Sequence, residues 1–184
     1  MDEQFDELTV LALSARHGDA AAATAFVRAT QADVWRLCVH LGSRAAAEDL
    51  TQETYARAFA SLHRFAGRSA ARTWLIAIAR RVCADAVRAA VRMRALPSAV
   101  PDSPDRVTPD HAETVALHDL LCALDTDRRE AFVLTQLVGL SYAEAAEVCD
   151  CPVGTIRSRV ARARGDLVSS FGSGSGNVSR REIG

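Results

Sequence analysis

Four arginines, Arg157, Arg159, Arg162 and Arg164, fall within eight residues of the stretch 151-CPVGTIRSRVARARGDL-167. A guanidinium presents a planar fork of N–H donors that matches a phosphate or the O6/N7 edge of guanine. That density on one short segment is chemistry for gripping a polyanion. The residue types of bond-breaking chemistry are dispersed instead. His17, His40, His63, His111 and His118 lie in different segments, with no metal-ligand spacing, phosphate loop or nucleophile–base signature. Of the cysteines Cys38, Cys83, Cys122, Cys149 and Cys151, only the last two are close. Their C-x-C spacing lacks the paired C-x2-C pattern and the nearby histidine of a zinc site, so the thiols read as buried or incidental. No enzymatic activity, metal or cofactor is expected.

The elements that must carry those arginines are helical. The 184-residue chain is alanine-rich, poor in proline and 49% apolar, with Leu, Val and Ile at helical spacing. Helices are predicted over about 8–41 (broken near 17-HGD-19), 45–62, 70–94, 111–124, 127–138, 141–149 and 153–168. Residues 95–110 hold four of the five prolines and read as a linker, and the Gly/Ser-rich 169–184 as a disordered tail. The prediction is an all-α protein of two small helical domains, residues 1–94 and 111–168, on a flexible tether. The acidic N-terminus lacks the order of a secretory signal and no run of 18 apolar residues occurs, so a cytoplasmic protein without membrane insertion is expected.

Net charge is only −1, but it is distributed in blocks: −5 over residues 1–56, +8 over 57–94, −8 over 95–152 and +4 over 153–184. All the basic residues are arginine, which a GC-rich genome favours, so nothing is read into arginine over lysine at any one position. Two basic blocks, each behind an acidic one, point to two polyanion-binding surfaces. In the second, Ser141 and Glu144 form a capping-box pattern at the head of YAEAAEVC, and the turn 150-DCPVG-154 leads into the arginine segment. Helix, tight turn and helix at this size is a helix-turn-helix pattern, with Ala145 as the small residue that admits the second helix. Ile156, Val160, Ala163 and Leu167 make one apolar stripe. Arg157, Ser158, Ala161 and Arg162 then point the other way, fit for the major groove, with Arg159 and Arg164 on the flanks. This pattern alone is equally that of a stand-alone DNA-binding regulator.

The N-terminal half separates the two readings. The segment 48-EDLTQETYARAFASLHRFAGRSAARTWLIAIARRVCADAVR-88 resembles region 2 of the extracytoplasmic-function (ECF) sigma factors of bacterial RNA polymerase, through DLTQET, RAF, RF, RTWL and IAR in order. CPVGTIRSRVARAR is similarly close to the family's region 4. The resemblance implies a sigma factor that binds core RNA polymerase through the largest-subunit coiled coil and the flap, and directs promoter recognition and melting. It implies that Asp49, Gln52 and Glu53 dock on the coiled coil. It implies that Arg64, Phe65, Arg68, Arg72, Arg80, Arg81 and Arg88 hold the single-stranded minus-10 element. Thr155, Arg157, Ser158, Arg159, Ala161, Arg162 and Arg164 would read the duplex minus-35 element. Trp74, in an apolar helical run, is expected in the core. The family often has an aromatic residue where Ala71 stands and an asparagine where Arg81 stands, and arginine there favours phosphate or guanine. Linker residues Asp102, Asp105 and Asp110 are read as solvated. The family also implies an anti-sigma partner.

Overall fold

The computed structural model describes residues 5–94 and 112–174, with only the backbone described at 112–116 and 171–174. Four helices form the N-terminal unit: α1 (Glu7–Arg16), α2 (Ala20–Leu37), α3 (Ala47–Ser61) and α4 (Ala71–Arg94). Four more form the C-terminal unit: α5 (Ala112–Cys122), α6 (Thr126–Phe132), α7 (Tyr142–Cys149) and α8 (Val153–Gly174). The predicted linker and its aspartates lie outside the described residues.

Local chemistry sets the breaks. Asp6 caps α1 by accepting from the Thr9 backbone amide, and Asp19 caps α2 through the amides of Ala21 and Ala22. Between them Gly18 takes φ +96°, a left-handed conformation that glycine adopts without a Cβ penalty. The end of α2 widens into a π-turn, Cys38–Gly42. A Cβ at Gly42 would come within 2.5 Å of Leu50 Cδ1, so a larger residue there would have to push the Leu50 side chain aside where the turn lies against α3. The head of α4 is capped from a distance: the Thr9 hydroxyl accepts from the Ala71 amide at 2.9 Å while donating to Asp6 at 2.8 Å.

Phe26, Val34, Leu37, Leu75, Ile76 and Val82 are sealed in the core of the first unit. Tyr55 of α3 meets the Thr30 hydroxyl of α2 at 2.8 Å. The second unit is built around Leu121, Leu134, Val148, Ile156 and Val160. Two features differ from the sequence expectation. The predicted helix 127–138 opens into a second π-turn at Val133–Leu137, and α8 runs through Gly174 where a tail was expected from 169.

The two units also pack directly on each other. Helix α4 packs on α7, the turn after α6 packs on α2, and α5 touches the first π-turn. Arg80 grips Glu130 with two bonds, at 2.6 and 3.0 Å. Arg72 donates to Asp33 at 2.9 and 2.6 Å and reaches the Val138 carbonyl at 2.5 Å. Arg36 donates to the Leu137 carbonyl at 3.0 Å.

Candidate nucleic-acid interface

The helix-turn-helix forms as its residues require. The Ser141 hydroxyl accepts from the Glu144 amide at 3.2 Å and the Glu144 carboxylate accepts from the Ser141 amide at 2.8 Å, completing the capping box. Asp150 then takes a left-handed conformation (φ 52°), and Cys151 N–H closes back onto the Ala146 carbonyl. That reversal points α8 across α7. Ala145 is fully buried at the crossing, and Ile156, Val160 and Ala163 form the buried stripe.

The opposite face of α8 is open. Arg157, Ser158, Ala161 and Arg162 are all exposed, and Thr155 is half-buried at the helix head, where its carbonyl accepts from Ser158. The flanking arginines are held. Arg159 pairs with Asp127 of α6, and Arg164 donates to the Gln136 side-chain oxygen at 2.8 Å. An open centre between tethered flanks presents Arg157, Ser158, Ala161 and Arg162 together on one exposed face of α8.

The basic face expected along α4 is divided. At about 100° per residue, Arg81 and Arg88 lie on the side of α4 opposite Arg72. Arg72 and Arg80 turn toward the second unit and are engaged there by the Val138 carbonyl and Glu130, with Asp33 of α2 holding Arg72 from its own unit. Arg81 is exposed, as are Arg64 and Arg68 in the preceding loop, and Arg64 Nε donates to His63 at 3.1 Å. Arg88 is paired with Asp85 at 2.6 Å, and Arg57 of α3 grips the same carboxylate. Periodicity could place each arginine on the helix but could not say which side the second unit would cover.

The two aromatics form one layer. Phe65 is only 4% exposed and packs on the half-buried Trp74, ring centroids 4.8 Å apart, while its carbonyl accepts from Arg16 at 2.8 Å. Phe65 therefore does not offer an open ring face for stacking; it pins the arginine-bearing loop to the core.

On α3, Asp49, Gln52 and Glu53 are exposed on one side. Glu53 is paired with Arg57 at 2.7 Å. Sequence reasoning passed over Phe59, which is 40% exposed and lines a shallow groove with Ala23, Thr24 and Val27 of α2. Its signal was present: seven residues after Gln52, it falls on the same helical face. The contact between units also gathers histidines. His40 is buried in the first π-turn, 6.3 Å ring to ring from His118 of α5. Burial, then the nearby His118, Arg36 and Arg44 charges, hold the His40 imidazole down at about 4.

Comparison with known proteins agrees with this architecture. The model for sigma-70 region 2 matches residues 26–93, and that for sigma-70 region 4 matches residues 114–167. The chain is 51% identical over 168 residues to the ECF RNA polymerase sigma factor SigC of Mycobacterium tuberculosis, covering 89% of this chain and 91% of that protein. In shape it is similar to CnrH, solved in complex with the cytosolic domain of CnrY, with a TM-score of 0.77 and 25% identity over 91% of this chain and 99% of that one. It is similar too to RpoE of Bartonella quintana, solved with the anti-sigma factor NepR, with a TM-score of 0.70 and 29% identity over 79% and 94% of the two chains. The chain belongs to the ECF family of RNA polymerase sigma factors. A stand-alone helix-turn-helix regulator would leave the match over residues 26–93 without a purpose. No helix among the described residues is long and apolar enough to cross a membrane.

Proposed function

We propose that the chain joins core RNA polymerase through α3 and holds promoter DNA at two places, as duplex on α8 and as separated strand along α4 and its preceding loop. The observation that carries this is the open Arg157–Arg162 face of α8 on the same chain as the acidic α3 face. Asp49, Gln52 and Glu53 complement a basic helical partner, and Phe59 supplies the apolar anchor beside them. The partner suited to them is the coiled coil of the largest subunit, with the flap meeting the second unit.

Thr155, Arg157, Ser158, Ala161 and Arg162 take base edges and nearby phosphates at the minus-35 element, and Arg159 and Arg164 reach the backbone on either side. Arg64, Arg68 and Arg81 receive the minus-10 strand. Arg88 extends that track, and Arg72 and Arg80 complete it once the second unit moves away. The work is binding: strands separate because the open form is bound more tightly than the duplex. An anti-sigma protein covering these faces is the regulatory partner that fits, given the company in which RpoE was solved.

Asp49→Arg combined with Glu53→Arg places like charge against a basic partner. The double variant is expected to fold normally and to lose co-purification with core polymerase. Undiminished co-purification contradicts the assignment of α3.

A further inference from the structure

Cys122 is the one cysteine exposed among the described residues, and it does not stand alone. His118, one turn earlier on α5, places Nε2 at 3.4 Å from the Cys122 sulfur. Arg129 of α6 donates an N–H to the same sulfur at 3.6 Å. The His118 Nδ1 atom is buried and finds no hydrogen-bond partner among the described residues. A proton on Nδ1 would therefore be a buried donor without an acceptor, which costs free energy. The favoured tautomer carries its proton on Nε2 and donates to sulfur. Two N–H donors, one of them on a permanent cation, then face an accessible sulfur, which is the setting of a reactive thiol.

The other thiols lack this setting. Cys38 and Cys83 are sealed in the core of the first unit. Burial, with Glu130 nearby, pushes the Cys149 thiol up to about 12. The half-buried Cys151 has Arg159 at 4.0 Å from its sulfur, a contact weakened by that guanidinium's pairing with Asp127.

The place of Cys122 gives its reaction a consequence. His118 stands 6.3 Å from His40 across the contact between the two units. Arg129 is next in sequence to Glu130, whose carboxylate holds Arg80 of α4. Both groups that touch the sulfur therefore belong to the surface that joins the units.

We propose that Cys122 is a modification site that accepts a low-molecular-weight disulfide, and that the adduct loosens the contact between the two helical units. The Cys122 thiolate attacks one sulfur of the disulfide; the new S–S bond forms as the old one breaks, and the departing thiolate takes a proton from water. The attached group displaces His118 and Arg129 from the sulfur, and α5 and α6 shift with them. The inference concerns a thiol outside the DNA-binding and polymerase-binding faces, and it holds or fails independently of those assignments.

The test uses the full chain and 4,4′-dithiodipyridine, a disulfide without charge, so that Arg129 does not act by steering the reagent. One equivalent of pyridinethione is expected in a fast phase that Cys122→Ser removes. His118→Ala and Arg129→Ala are each expected to slow that phase roughly tenfold, because each removes an N–H donor that faces the attacking sulfur. Arg129→Lys, which keeps the charge, is expected to recover part of the rate. Small-angle scattering of the adduct is expected to show a larger radius of gyration than the untreated protein, while treated Cys122→Ser stays compact. A Cys122 that reacts no faster than it does in the unfolded chain, or whose rate is indifferent to His118 and Arg129, overturns the site. An adduct that leaves the dimensions unchanged overturns its coupling to the domain contact.

Discussion

Arg162 sits at the centre of the exposed face of α8, with no ion-pair partner among the described residues. Truncation there removes the proposed base contact without disturbing a core. Arg162→Ala is expected to weaken recognition of the duplex promoter element by about 1–3 kcal/mol, the range of a good base contact. Polymerase co-purification should be unaffected; promoter competition assays with and without core check both halves. His40 makes a prediction about pH. Its folded value, about 4, lies below the ordinary histidine range, so the unfolded chain binds more protons between the two. Stability is therefore complete above the unfolded value, near pH 6.5, and is lost as pH falls toward 4. Thermal melts at pH 7 and pH 5 should show the loss, and His40→Gln should flatten that slope. These residues differ in how far sequence exposed them. The Arg162 face followed from counting around a helix; the burial of His40 depends on α5 arriving from the other unit, which no local pattern encodes.

At the scale of elements, the helix-turn-helix depends on its caps. Ser141→Ala removes one arm of the capping box and is expected to cost about 1 kcal/mol, read as a lower denaturation midpoint with the slope unchanged. The capping box, the Ile156–Ala163 stripe and the Gly18 break were legible because caps and periodicity are local signals. The π-turns at Cys38–Gly42 and Val133–Leu137 were not, since they arise where a helix end is pressed against a neighbour. Phe65 failed as a stacking platform for the same reason. An aromatic residue in a basic loop reads as available, and only tertiary packing against Trp74 commits it to the core.

The molecule as a whole brings together what the sequence spaced apart. Alternating charge blocks were read as two DNA-binding surfaces with acidic faces for a protein partner. In the folded chain part of the acidic block 95–152 meets the basic block 57–94 internally: Glu130 on Arg80, and the Val138 carbonyl on Arg72. Pro-rich composition suggested a tether but carried no information about whether the two units touch. The contact covers one side of α4 while leaving the α8 face open, so the two surfaces proposed for DNA are not equally available. Glu130→Arg sets like charges face to face and is expected to separate the units. Its radius of gyration should rise above the roughly 16 Å of a compact chain of this length, as small-angle scattering would show. An unchanged radius means that the remaining contacts hold the units without that pair.

The measurement that bears most directly on the whole account is run-off transcription by core polymerase, with and without this protein, on a pooled library of promoter fragments from the source genome. Defined transcripts should appear only when the protein is added, their start sites should share two upstream elements, and Arg162→Ala should reduce them. A protein that binds promoter duplex tightly without core, and yields no added transcripts with it, contradicts the account.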